Sequence, residues 1–273
     1  MKIFLMTDLE GVAGVQNAVD WVHPESRFYG TARRFLTLET NAAVEGFFAG
    51  GADYVLVADG HGPGAIDLEL LDPRVEYARG WPDGFPFGLD QSFDGLAWVG
   101  QHAKASSEFA HLCHTQSFQY VDLSVNDLSI GELGQMALCG AELGVPAFFA
   151  SGDLALAKEA EALVPGIVAC WVKRGVRAGT GEDCTVHEYE RRNEGAVHLA
   201  PASACRKIRE AAEAAVVQLR KKAPPMLPLV PPFRRVATFR PADKGAPKTV
   251  SREEHASSVI ALLNVPFAPV PAE

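Results

Sequence analysis

The residues best equipped for chemistry stand where short apolar runs stop. Ile3-Phe4-Leu5-Met6 gives way to Thr7-Asp8-Leu9-Glu10-Gly11, which sets two carboxylates two positions apart. Residues two apart on an extended chain point to the same side, so Asp8 and Glu10 can hold one cation together. Gly11 and Gly14 let the backbone turn sharply beside them. Tyr54-Val55-Leu56-Val57-Ala58 ends at Asp59-Gly60-His61-Gly62, and Gly95-Leu96-Ala97-Trp98-Val99-Gly100 ends at Gln101-His102-Ala103-Lys104. Glu132 adds a further carboxylate. Plain structural readings stand beside these: solvated acids in a polar loop for Asp8 and Glu10, and a capping box with Ser129 for Glu132.

Asp8, Glu10, His61, His102 and Glu132 make a mixed nitrogen and oxygen donor set. It suits zinc, manganese, iron or cobalt more than magnesium or calcium. Five protein ligands exceed what one catalytic zinc takes, because such sites keep a position open for water. A carboxylate bridging two metals accounts for the surplus. Metals about 3.5 to 4 Å apart can hold a hydroxide between them, a nucleophile at neutral pH. The implied class is metal-assisted hydrolysis.

The elements that must position these residues are strands and helices in alternation. A helix capped by Ser26 runs to Phe48, with Gly50-Gly51 as its stop, and joins the first two apolar runs into a strand-helix-strand unit. That length favours parallel pairing, and open α/β sheets bind ligands outside the carboxyl ends of their strands. The pattern further predicts a short helix at 68–71, strands at 75–78 and 118–125, and a helix at 130–143. A strand at 147–150, a helix at 154–163, a strand at 167–171 and an amphipathic helix at 202–222 follow. Residues 223–233, APPMLPLVPPF, read as a linker or extended arm. Beyond them a strand at 236–239, a helix at 253–263 and an extended or disordered tail at 266–273 are expected. The expected fold is α/β, a mostly parallel sheet with flanking helices and the metal site at the carboxyl ends of its strands. Residues 1–222 form the core, as one unit or two subdomains, and 223–273 a small C-terminal extension.

The 273 residues are 48% hydrophobic and 22% charged, enough for a sizeable core. A formal charge of -9 argues against nucleic acid and anionic membrane surfaces as partners. The chain shows neither a signal peptide nor an apolar run long enough to span a bilayer. Its five cysteines are odd in number and scattered, which points to free thiols in a reducing cytoplasm. Cys113 beside His114 raises a cysteine-nucleophile alternative, although neighbours on a strand face opposite ways. His111 reads as a surface or packing residue. Asp59 reads as a partner of a liganding histidine or as a turn cap. Asn41, Asn126 and Asp153 read as pocket or capping residues.

Several of these stretches belong to a recognisable set. Asp8-Leu9-Glu10-Gly11, Asp59-Gly60-His61, Gly100-Gln101-His102-Ala103-Lys104-Ala105, Leu112-Cys113-His114-Thr115 and Gly131-Glu132-Leu133-Gly134 stand in order along the chain. Ser151-Gly152-Asp153 and Ala157-Lys158-Glu159-Ala160 follow. Over residues 1–165 the chain resembles the D-aminopeptidases of the dipeptide-transport operon, peptidase family M55. The resemblance implies a dinuclear zinc aminopeptidase acting on short peptides with N-terminal D-residues, D-Ala-D-Ala being the type substrate. It implies that Asp8 bridges the metals, that Glu10 and His61 complete one site, and that His102 and Glu132 complete the other. His114 is then the non-ligand catalytic residue. It further implies a ring-shaped homo-oligomer, a decamer, that encloses the active sites. The residues after Lys222 fit the family less well, with a proline-rich arm where a longer strand-containing segment is expected. Assembly and substrate length therefore stay open. Alternatives are a dinuclear amidohydrolase or phosphoester hydrolase, or a metal-binding protein without turnover. No glycine-rich phosphate loop or arginine cluster favours phosphate substrates, and a mere metal holder has no need of His114.

Overall fold

The computed structural model describes residues 1–272. The chain opens with β1 (Lys2–Thr7), the short α1 (Ala18–Trp21), the long α2 (Tyr29–Ala49) and β2 (Tyr54–Asp59). Next come β3 (Glu76–Ala78), β4 (Gly95–Gln101), β5 (Tyr120–Val125) and β6 (Leu128–Ser129). They are followed by α3 (Glu132–Leu143), β7 (Ala147–Asp153), α4 (Leu154–Leu163) and β8 (Val168–Gly175). Then come α5 (Val186–Arg192), β9 (Ala196–His198), α6 (Pro201–Lys221) and β10 (Phe233–Phe239). β11 (Thr249–His255), α7 (Val259–Leu263) and β12 (Val270–Pro271) complete the fold.

Seven strands form one sheet in the order β3-β2-β1-β4-β7-β8-β9, parallel except for β9. Its middle strands are buried on both faces, so they read as unbroken apolar runs. Along β1, Ile3 and Leu5 enter one core while Phe4 and Met6 enter the other. Helices α2 and α6 pack together over the first face, and α3 and α4 lie on the second. After β3 the chain crosses to the far side of β1 to form β4. The strand order therefore reverses between β1 and β4, and the crevice at their carboxyl ends is where such sheets take ligands. Among the described residues, no helix is long and apolar enough to cross a membrane.

Several local expectations are corrected. Ser26 does not cap α2, which begins at Tyr29 behind an uncapped Phe28. Its hydroxyl instead accepts from His23 N–H and donates to the Val19 carbonyl, closing the preceding turn. Ser129 forms no capping box, because α3 begins at Glu132 itself with Gly131 as N-cap. Residues 68–71 form turns rather than a helix. The segment 249–255, expected to enter a helix from residue 253, is a strand instead. β10 and β11 pair with each other and with β5 in a five-stranded antiparallel sheet, order β12-β11-β10-β5-β6. The longer strand-containing segment expected of the family is thus present after the proline-rich stretch. Within the tail, Val270 and Pro271 pair with β11, and Glu273 lies outside the described residues.

Candidate metal centre

The loops after β1 and β4 touch backbone to backbone. Asp8 N–H donates to Val99 O at 2.9 Å, and Gly11 N–H to Gly100 O at 2.7 Å. A Cβ at Gly11 would stand 2.0 Å from Gln101 O, so only glycine allows the approach. The buried Lys173 ammonium, reaching up from β8, donates to the carbonyls of Glu10 and, at 3.4 Å, Val15. The loop after β2 is clamped by Arg79, whose guanidinium donates to Asp59 O at 2.7 Å and His61 O at 2.9 Å. Glu159 on α4 ties the other two ligand-bearing segments. Its carboxylate accepts from Lys104 N–H at 2.8 Å and from Gly131 N–H at 3.3 Å.

These elements bring Asp8, Glu10, His61, His102, Glu132 and His114 together. Asp8 is the middle of the cluster. Its Oδ1 faces His61 Nδ1 at 3.3 Å and its Oδ2 faces His102 Nε2 at 3.2 Å. Glu10 Oε2 lies 3.3 Å from His61 Nδ1, and Glu132 Oε1 lies 3.4 Å from His102 Nε2. The ligand atoms of Asp8, Glu10 and His61 fall within 4.8 Å of one another, as do those of His102, His114 and Glu132. The backbone sets each imidazole. His61 Nε2 meets Val22 O at 2.9 Å, His102 Nδ1 meets Ala103 O at 2.9 Å, and His114 Nδ1 meets Leu112 O at 2.9 Å. A ring N–H donated to a carbonyl leaves the opposite nitrogen as a lone pair, and in each case that nitrogen faces the carboxylates.

Three carboxylates in so small a volume call for positive charge. Burial disfavours the ionised form of Asp8, yet the His102 and His61 imidazoles against its two oxygens hold its carboxyl far below the usual range. Burial likewise opposes ionised Glu132, but the His102 charge beside it brings it down to about 2. Burial lowers His61 while Glu10 and Asp8 raise it, and the acids win, to about 12. His102 is raised well above its ordinary value despite its burial, by Glu132 and Asp8. His114 goes the other way, lowered by burial and by the neighbouring His102.

Other singled-out residues lie elsewhere. Asp59 touches no histidine and instead accepts from Ala65 N–H, Ile66 N–H and Tyr77 O–H. Cys113 packs its sulfur 3.2 Å from the Tyr189 hydroxyl, and burial raises its pKa, which disfavours the thiolate that nucleophilic attack requires. His111 is buried, its Nε2 against Gln16 O at 3.0 Å. Asn41 spans the Leu70 carbonyl and Asp72 N–H, Asn126 spans Val230 and Arg234, and Asp153 caps α4. Gln101 was quoted only as part of a motif, but its amide donates to Asp8 Oδ2 at 2.9 Å. Gln116 N–H donates to Glu132 Oε1 at 2.7 Å. Lys173 gives no sequence signal, and Glu159 stands in the Ala157-Lys158-Glu159-Ala160 motif without a sign of its role, since both act on backbone groups distant in the chain.

A cavity of about 240 Å³ opens on this cluster, with Asp8, Gln101 and Glu132 in its wall. The facing wall is apolar, built from Trp81, Phe85 and Phe87.

The D-aminopeptidase model of peptidase family M55 matches residues 1–245. A D-aminopeptidase of Bacillus subtilis (strain 168) is 30% identical over 250 residues, covering 90% of this chain and 83% of that protein. A solved structure, the Zn-dependent D-aminopeptidase DppA from Bacillus subtilis, described as a self-compartmentalizing protease, matches with a TM-score of 0.82 at 25% identity. That match covers 97% of this chain and 95% of the other.

Proposed function

This chain belongs to the D-aminopeptidase family, peptidase M55, and on that premise we propose that it releases N-terminal D-residues from short peptides of the D-Ala-D-Ala type, with zinc as its metal. It is a metallo-aminopeptidase, a hydrolase of peptide bonds. The observation that carries the finer reading is the double-faced Asp8, one oxygen 3.3 Å from His61 and the other 3.2 Å from His102.

The donor set fits two zinc ions. Glu10 Oε2 and His102 Nε2 are buried and find no hydrogen-bond partner among the described residues. Each faces an oppositely disposed ligand atom at 3.2 to 3.4 Å without hydrogen-bond alignment. Groups that converge in this way share a point in space rather than a bond to each other. Asp8 would bridge, Glu10 and His61 would hold one ion, and His102 and Glu132 the other. Zinc at such a pair supplies Lewis acidity and a water activated at neutral pH.

The chain's own residues do the rest. Gln101 orients Asp8 by donating to Oδ2, and Gln116 N–H orients Glu132. His114 keeps Nδ1–H on Leu112 O, so Nε2 is the atom that takes up a proton and returns it to the leaving amine. Burial and the neighbouring His102 lower its pKa, which favours the neutral ring that a base requires. The apolar wall of the cavity excludes water from the scissile bond.

We extend the self-compartmentalizing description of the Bacillus subtilis protein to this chain as a ring-shaped homo-oligomer, a decamer, enclosing its sites. Its cysteines, all free among the described residues, suit a cytoplasmic enzyme. The test pairs metal analysis of purified protein with a screen of D- and L-aminoacyl amides and dipeptides. Two zinc ions per chain, loss of D-Ala-D-Ala turnover on chelation and rescue by zinc are expected. Turnover that survives complete chelation, or is confined to L-substrates, overturns the proposal.

A further inference from the structure

Trp81, Phe85 and Phe87 stand together in the lining of the cavity, half-buried and packed against the edge of one core. The ring centroids of Phe85 and Phe87 are 4.4 Å apart, and those of Trp81 and Phe87 5.8 Å. Phe87 adopts a φ of +54°, a left-handed backbone that a bulky residue takes only when its surroundings impose it. Asn264, just past α7, braces the same segment at Phe85. Its Oδ1 accepts from Phe85 N–H at 3.0 Å and its Nδ2 donates to Phe85 O at 2.8 Å. The start of α7 is in turn held by Glu142, which accepts from Ser258 Oγ and Val259 N–H, both at 2.6 Å. Glu142 lies at the far end of α3, the helix that begins with Glu132. The aromatic lip is therefore positioned, through one helix, against the metal-side wall.

The floor between lip and metal-side wall is Met6, Trp98 and Met136. Trp98 is fully buried, and its indole N–H has no acceptor among the described residues.

We propose that this lip is the subsite for the side chain of the substrate's N-terminal residue, and that it selects a large apolar or aromatic side chain over a methyl group. The inference rests on the aminopeptidase reading above. An aminopeptidase holds the N-terminal amine near the cluster of Asp8, Gln101 and Glu132. The side chain springs from the carbon that bears that amine, so it must lie in the same cavity. An alanine methyl is too short to reach the rings of Trp81, Phe85 and Phe87, whereas an aromatic side chain meets them edge and face. Asn264 is a positioning residue that acts through the Phe85 backbone.

The experiment compares kcat/KM for D-Phe amide and D-Ala amide with the zinc-loaded wild type. A single added methylene in an apolar pocket changes selectivity by about 10-fold or more, so D-Phe amide is expected to lead by at least about tenfold. Calorimetric titration with D-phenylalaninol and D-alaninol, which cannot be hydrolysed, is expected to give the same order of affinity. Trp81→Ala brings the ratio close to one, Trp81→Phe retains most of it, and Asn264→Ala lowers it several-fold. A substrate ratio cancels the amount of folded enzyme, so general destabilisation does not move it. D-Ala amide turned over as well as D-Phe amide overturns the inference and leaves the aminopeptidase reading intact, as does a ratio insensitive to Trp81→Ala. Absence of turnover on every D-aminoacyl amide, zinc supplied, overturns both.

Discussion

His114 lies flat against His102, ring centroids 3.9 Å apart and planes inclined by 21°. Two imidazolium ions do not share such a contact, so one ring stays neutral. His102 sits between two acids and takes the positive environment, while burial and that same neighbour lower His114. On the proposed five-ligand assignment, this stacking holds His114 Nε2 beside the carboxylate cluster, where a base is needed.

His114→Ala is therefore expected to bind zinc at wild-type stoichiometry and to lose about 10²- to 10⁴-fold in kcat. Metal analysis alongside steady-state turnover of a D-aminoacyl amide measures both. Unchanged turnover removes His114 from catalysis, and loss of one zinc makes it a ligand instead.

Gly11→Ala is expected to disrupt the centre from the backbone. The new Cβ would fall 2.0 Å from Gln101 O and 2.5 Å from Gly100 C, atoms that cannot rotate away. Overpacking of this kind costs about 1 to 3 kcal/mol, and relief requires parting the Asp8 loop from the end of β4. Zinc affinity and thermal stability are expected to fall together, read by chelator competition and thermal melts. A normal melt with full zinc binding would show that the loops tolerate separation.

Four of the five proposed ligands, Asp8, Glu10, His61 and His102, were legible in the sequence because they follow strands buried in the sheet. Such strands are unbroken apolar runs, and the first polar group after each run marks the rim. The residues that hold those ligands were not legible. Lys173 serves the Glu10 carbonyl, and Glu159, although part of a motif, serves Gly131 N–H; backbone partners leave no trace in residue type. β11 was hidden for a different reason. Its inward Glu253 pairs with the buried Arg235 at 3.0 Å, so charge stands where a strand's apolar period is sought. Glu132 fits two patterns at once, since a sequence that suits a capping box also suits a proposed ligand at a helix's first residue; the helix starts too late for the box.

Glu39 gives stability a pH dependence. Its Oε1 accepts from Ala13 N–H at 2.9 Å, its Oε2 has no partner among the described residues, and burial lifts its pKa to about 8. The native state thus holds this proton more tightly than the unfolded chain, whose value is near 4.5. The contribution is fully present below pH 4.5 and is lost as pH rises to about 8. Between pH 5 and 8, metal-free wild type is expected to lose on the order of a few kcal/mol relative to Glu39→Gln. Denaturant melts of both proteins across that range measure it, and parallel curves would refute it.

The two halves of the centre are expected to come apart under separate substitutions. Lys173 donates to the carbonyl of Glu10, beside the half formed by Glu10 and His61. Glu159 instead joins Lys104 N–H to Gly131 N–H, residues that flank His102 and Glu132. On the two-zinc assignment, Lys173→Met weakens the first ion and Glu159→Ala the second. Loss of such supporting contacts lowers metal affinity about 10- to 100-fold. Cobalt substitution reads the halves separately, since each ion has its own ligand set and its own absorption. Each variant is expected to bind one cobalt as wild type does and the other more weakly, with opposite halves affected. Loss of both ions together in either variant would mean that the bridging Asp8 couples the halves too tightly to be addressed one at a time.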